Sequence, residues 1–244
     1  MSRESLATVA SAVHEYVRYL QRLGVVELPL GQVAVEVPPA VDTRPPVAES
    51  RPPAPRQEVP AALPLQQLAE TFRDCRQCRL HQGRTQVVFG TGNPQASLVF
   101  VGEAPGEEED RQGEPFVGAA GQLLNRIIEA MGLRRDQVYM LNVVKCRPPG
   151  NRNPLPDELA ACRRILEAQL ACLTPQVICA LGNFAAQALL QTEERISRLR
   201  GRFHRLGDIQ VMPTYHPAYV LRNPQSKRAV WDDMQRIQRA LGLR

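Results

Sequence analysis

From position 65 onward the chain alternates between short apolar runs and stretches with helical spacing. The runs 97–101, 138–144, 176–181 and 209–212 are rich in Val, Ile, Leu and Met and hold few polar positions, the pattern of strands covered on both faces. Segments 121–131, 157–173, 184–190 and 227–241 place apolar residues three and four apart, as amphipathic helices do. Strands that alternate with helices predict an α/β domain with a mainly parallel sheet, and in such a sheet ligands bind beyond the carboxyl ends of the strands. The residues that follow each run are therefore the first place to look for chemistry.

Ahead of this region Leu6, Val9, Val13, Val17, Leu20 and Leu23 also recur at helical steps and Gly24 ends the pattern, which predicts an amphipathic helix within 1–27. A lone helix has no core of its own, so it either folds back on the main domain or docks a protein partner. Residues 28–64 hold ten of the 21 prolines and no aromatic residue. Such a stretch buries too little apolar area to offset its ordering entropy and is expected to run as an extended, disordered linker. The domain then covers 65–244.

Composition narrows the classes. A chain of 244 residues, 43% of them hydrophobic, can bury one substantial core. No apolar run approaches the roughly 20 residues a membrane span needs, and the opening residues lack the layout of a secretory signal, so an intracellular, cytoplasmic protein without a membrane partner is expected. The formal net charge is +5, and the first 64 residues carry six Arg against seven acids, so the positive excess lies in the later domain. That balance permits a polyanionic partner without requiring one.

Four positions near strand ends carry candidate chemistry. The first strand runs into Gly102-Glu-Ala-Pro-Gly-Glu-Glu-Glu-Asp110, followed by Gly113-Glu-Pro-Phe-Val-Gly-Ala-Ala-Gly-Gln122, a glycine-rich loop shaped around something. A phosphate cradle is disfavoured, because no Gly-Lys-Ser/Thr follows and five acids crowd the loop. Glu103 is either an ordinary surface carboxylate or one aimed into a cleft as base or electrostatic stabiliser. Phe116 either plugs the domain or forms a stacking wall for a planar ligand. Asn142 sits within an apolar run, where an unpaired amide costs about 1–3 kcal/mol, so it is satisfied internally or offered to a ligand whose edge its donor and acceptor can read. His216, followed by proline after the fourth run, is a structural histidine or a donor near a reacting group. What favours the functional readings is convergence, since Glu103, Asn142 and His216 all fall on one edge of the expected sheet.

Six cysteines remain. Cys75 and Cys78 form a ligand pair by spacing; Cys146 and Cys162 are a second, less obvious pair; Cys172 and Cys179 lie in apolar stretches as buried small residues. The two pairs together could hold zinc or an iron–sulfur cluster, with spacing alone slightly favouring zinc.

The combination of Cys75-x-x-Cys78, GEAPGEEED, GEPFVGAAGQLL, LNVVKCRPP, Cys162 and HPAYVLRNP resembles the family 4 uracil-DNA glycosylases, the iron–sulfur branch of that superfamily, over residues 68–241. The resemblance implies a three-layer α/β/α sandwich around a central, mainly parallel four-stranded sheet. It also implies a hydrolase that flips uracil out of DNA and cleaves its N-glycosidic bond, which leaves an abasic site. By the same resemblance Gly102, Phe116 and Asn142 belong to the uracil pocket, with Phe116 stacking on the base and Asn142 reading its edge. His216 hydrogen-bonds the departing base, and Glu103 handles water or offsets sugar charge. The motif Asp of the better-known branch is absent, since Ala104 stands at that position, which moves the water-handling role towards Glu103. Cys75, Cys78, Cys146 and Cys162 resemble the ligands of a [4Fe-4S] cluster, which reverses the preference for zinc. The segment 219–227 resembles the loop that enters the duplex, with Leu221 as wedge and Arg222, Lys227 and Arg228 for phosphates. The implied partner is uracil-containing DNA, and the implied state a monomer. The competing reading is a non-catalytic iron–sulfur DNA-binding or adaptor protein acting through its N-terminal helix; the presence of Glu103, Asn142 and His216 weighs against it.

Overall fold

The computed structural model describes residues 64–243. The helix expected within 1–27 and, apart from Pro64, the linker expected over 28–64 lie outside the described residues. Six strands form one sheet: β1 (Thr91–Gly92), β2 (Leu98–Gly102), β3 (Tyr139–Asn142), β4 (Val177–Leu181), β5 (His204–Leu206) and β6 (Ile209–Thr214). Their order across the sheet is β1-β3-β2-β4-β6-β5. The central four, β3, β2, β4 and β6, are parallel and coincide with the four apolar runs. The expectation of a four-stranded sheet is corrected at the edges, where β1 and β5 each add an antiparallel partner. Two- and three-residue strands are too short to leave a period in the sequence, and β5 is made largely of half-exposed polar residues.

Helices cover both faces. They are α1 (Leu65–Phe72), α2 (Glu107–Gln112), α3 (Ala119–Ala130), α4 (Pro156–Leu173), α5 (Asn183–Leu190), α6 (Ile196–Leu199), α7 (Pro217–Arg222) and α8 (Lys227–Ala240). Successive side chains of a strand point to opposite faces, and the core divides accordingly. Val99, Val101, Leu141, Ile178, Ala180 and Val211 pack with Leu166 and Leu170 of α4 and Ala185 and Leu189 of α5. Leu98, Phe100, Met140, Cys179 and Met212 pack with Leu124 and Ile128 of α3 and Val230, Met234 and Ile237 of α8. The result is the three-layer sandwich. Cys179 is buried as expected, whereas Cys172 is half-buried on the partly covered side of α4.

The parallel register places the strand ends together. Gly102 of β2 lies opposite Asn142 of β3, and Leu181 of β4 opposite Thr214 of β6. The chain moves from β2 to β3 on one side and then crosses to β4 on the other. A crevice opens beyond the strand ends where an α/β sheet reverses direction in this way.

Candidate active site and cysteine pocket

A cleft of ≈ 390 Å³ occupies that crevice, and Glu103, Phe116, Asn142, His216 and Arg222 all line it. Asn142, the last residue of β3, is buried, with its amide packed over Gly102. A Cβ on Gly102 would stand 2.4 Å from Asn142 Oδ1 and 2.5 Å from Phe116 Cζ, so only glycine lets the ring and the amide close over this strand end.

Phe116 is buried and adopts a left-handed backbone, φ 58°, a conformation that bulky side chains rarely take. Its surroundings hold it there. Arg135 donates to the carbonyl oxygens of Pro115 at 2.6 Å and Phe116 at 3.1 Å. Gly121 of α3 admits the same turn, because a Cβ there would lie 1.9 Å from the Phe116 carbonyl oxygen. Glu109 of α2 accepts backbone N–H bonds from Gly106, Val117 and Gly118 at 3.1, 2.9 and 2.8 Å, which ties the two glycine-rich segments together. Neither Glu109 nor Arg135 stood out in the sequence. The spacing of Glu109 three residues after Gly106 is a helix-start signal that was available.

His216 caps α7. Its Nδ1 accepts the Ala218 N–H at 3.2 Å, which leaves the proton of the neutral ring on Nε2 as a donor. Burial, aided by the positive charge of Arg222 and opposed by Glu109, pulls the imidazole down to about 4, so it is neutral at physiological pH. Its ring stands 6.1 Å from the Phe116 ring, centroid to centroid. Burial lifts the Glu103 carboxyl to about 6.

The segment 219–227 is not a loop. It comprises the end of α7, a 3₁₀ turn at Pro224–Ser226 and the start of α8. Pro217 at the first helical position and His216 as its cap start α7, and Asn223-Pro224 ends it. Leu221 and Tyr219 are the two large apolar residues left exposed among the described residues, at 43% and 41%. Tyr219 stacks on Tyr215 with centroids 5.0 Å apart. Arg222 faces the cleft, while Lys227 and Arg228 are exposed in the first turn of α8. On the opposite wall, Glu158 is wholly buried and pairs with both Nη atoms of Arg152 at 2.6 and 2.8 Å, which braces the loop between β3 and α4.

Cys75, Cys78, Cys146 and Cys162 line one enclosed pocket beside the cleft, together with Arg84 and Lys145. Arg84 Nη1 donates to Cys146 Sγ at 3.0 Å. Burial pushes the thiols of Cys146 and Cys162 up, to about 11 and about 12. Among the described residues, no three His, Cys, Asp or Glu side chains stand together as ligands of a single ion. Nor, among them, is any helix long and apolar enough to cross a membrane.

Comparison with known proteins adds the lineage. Residues 89–235 match the family model of the Uracil DNA glycosylase superfamily. The chain is 46% identical over 173 residues to the type-4 uracil-DNA glycosylase of Thermotoga maritima, covering 69% of this chain and 90% of that protein. It is 44% identical over 181 residues to the Archaeoglobus fulgidus protein of the same name, covering 71% and 91%. A third type-4 relative, from Sulfurisphaera tokodaii, is 43% identical over 182 residues, covering 71% and 83%. A match spanning the sheet from β1 to α8, with likeness of this depth over nearly the whole of those relatives, means that the chain belongs to the uracil-DNA glycosylase superfamily, with the type-4 enzymes.

Proposed function

We propose that this protein is a DNA repair hydrolase that excises uracil from DNA and leaves an abasic site. The observation that carries the reading is the meeting of a buried aromatic ring, a strand-end amide and a neutral imidazole in one cleft: Phe116, Asn142 and His216. A base inside a duplex is out of reach, so the nucleotide is flipped out, at a cost of a few kcal/mol in lost stacking and pairing. Phe116 then stacks on the uracil ring. The Asn142 amide accepts from the ring N–H and donates to a carbonyl, where cytosine presents the wrong pattern.

Breaking the glycosidic bond leaves negative charge on the base and positive charge on the sugar. The Nε2–H of His216, fixed by the Nδ1 contact to Ala218, donates to the uracil oxygen as charge develops. Its neutrality is no obstacle, since stabilising an oxyanion needs an aligned donor and not a proton transfer. Glu103, ionised above about 6, orients the attacking water or faces the oxocarbenium-like sugar. Leu221 enters the stack as the wedge, and Arg222, Lys227 and Arg228 hold phosphates.

Cys75, Cys78, Cys146 and Cys162 would hold a [4Fe-4S] cluster. All four cysteines line one pocket, and four thiolates are the donor set that such a cluster takes. When bound, it supplies a four-point covalent anchor between the segment after α1, the turn after β3 and α4.

The test is incubation with a labelled oligonucleotide carrying one uracil, beside a thymine control, followed by alkali to break abasic sites. Cleavage at uracil alone is expected. Intact strands from folded, iron-loaded protein would leave the non-catalytic DNA-binding reading in its place.

A further inference from the structure

Lys145 lies between the two sites and belongs to neither by sequence pattern. It is 1% exposed, and its Nζ donates to the main-chain carbonyl of Asn142 at 2.5 Å. The same side chain lines the pocket that Cys146 and Cys162 line. A buried ammonium is costly to keep unless it is paired, and it has three protons to place. One reaches the strand end, and the thiols are the anionic partners the pocket offers once a cluster deprotonates them. The turn that connects the two contacts is itself pinned: Val143 and Val144 donate to the carbonyls of Gly102 and Glu103, and the Lys145 carbonyl accepts from Val88.

We infer that Lys145 is a positioning residue that couples the cysteine pocket to the uracil-reading strand end, as counter-charge to the Cys146 and Cys162 thiolates and as a strut that fixes the Asn142 carbonyl. The inference rests on the reading of Asn142 and of the four cysteines given above. The strut explains why a lysine is buried between Asn142, which lines the cleft, and the cysteine pocket. It also predicts that a single substitution moves the properties of both sites, which neither a mere core role nor a mere cluster-side role would do.

The experiment compares wild type, Lys145→Met and Arg84→Gln as iron-loaded proteins. The readouts are iron per protein, midpoint potential and binding of an oligonucleotide with one non-cleavable 2′-fluorinated deoxyuridine, measured against its thymidine counterpart. A reduced cluster carries more negative charge, so removal of a nearby cation lowers the potential in both variants. Uracil-dependent binding is expected to weaken about tenfold in Lys145→Met and to stay at the wild-type level in Arg84→Gln, because Arg84 touches Cys146 and not Asn142. Wild-type potential and binding in Lys145→Met overturns the inference alone. Wild-type protein without iron overturns the cluster reading and this one with it. If Lys145→Met does not accumulate in folded form, Lys145→Arg carries the test. It keeps the cation and so the potential, and its bulkier head displaces the Asn142 carbonyl and weakens uracil-dependent binding; wild-type binding there overturns the inference.

Discussion

His216 and Glu103 face one cleft with their charge states pushed towards neutrality by the same burial, and the consequences differ in pH. The imidazole, held near 4, does not change between pH 6 and 9; the carboxyl, raised to about 6, loses its charge as pH falls through that value. The single-turnover rate is therefore expected to rise from pH 5 to 7 and then level off, with the limb belonging to Glu103. Glu103→Gln should lower the plateau and abolish the limb, and a limb that survives in that variant assigns it to another group. His216→Ala should lower the single-turnover rate by about 10²–10³, the usual loss for one oxyanion donor, with substrate binding changed far less; an unchanged rate would remove it from the leaving group. For Asn142→Asp, the amide donor becomes an acceptor while size is kept, so uracil should lose its advantage over cytosine. Selectivity equal to wild type would take Asn142 out of recognition.

At the scale of elements, the long apolar runs and helical periods were legible because each has one buried pattern throughout. Central strands β2 to β4 and β6, and helices α3, α4, α5 and α8, fall where periodicity put them. What was not legible is local geometry without a period: the edge strands β1 and β5, and the six-residue helices α2 and α7 hidden in segments read as loops. Glu103, Asn142 and His216 were legible because strand ends announce a crevice, and Phe116 because an aromatic residue stands inside a glycine-rich loop. Their supports were less so: Glu109 stands at a helix-start spacing from Gly106, but its bonds to Val117 and Gly118, like those of Arg135 to Pro115 and Phe116, reach main-chain groups that no spacing reveals. Those supports are testable. Arg135→Met should destabilise the fold by about 1–3 kcal/mol, since buried carbonyls are left unpaired, and should raise KM more than a surface arginine would, as the Phe116 turn loosens. Chemical denaturation and steady-state kinetics measure the two effects. In Gly102→Ala, the new methyl displaces both the Phe116 ring and the Asn142 amide, so uracil binding should be lost while iron content stays at the wild-type level. Retained binding would show that the cleft yields more than close packing allows.

For the whole molecule, the positive excess sits in the described domain, and its use is told by where it meets apolar surface. Arg222 follows exposed Tyr219 and Leu221 on α7, and Tyr219 and Arg222 line the cleft, while Lys227 and Arg228 are exposed in the first turn of α8. Basic groups that neutralise phosphates make affinity salt-dependent, by a slope of about one per contact. Replacing the three cations by Ala should therefore flatten the slope of log affinity against log salt by about two to three, without change in the preference for uracil. A wedge acts differently. Leu221 has no charge to contribute; as the proposed wedge, its burial between bases would repay part of the unstacking that a flipped nucleotide demands in a duplex but not in a single strand. Leu221→Ala should thus slow cleavage of uracil in a duplex about tenfold while leaving a single-stranded substrate near the wild-type rate, with the same salt slope on both. Equal losses on the two substrates would mean that α7 holds DNA by contact alone and that the helix is turned away from the base stack.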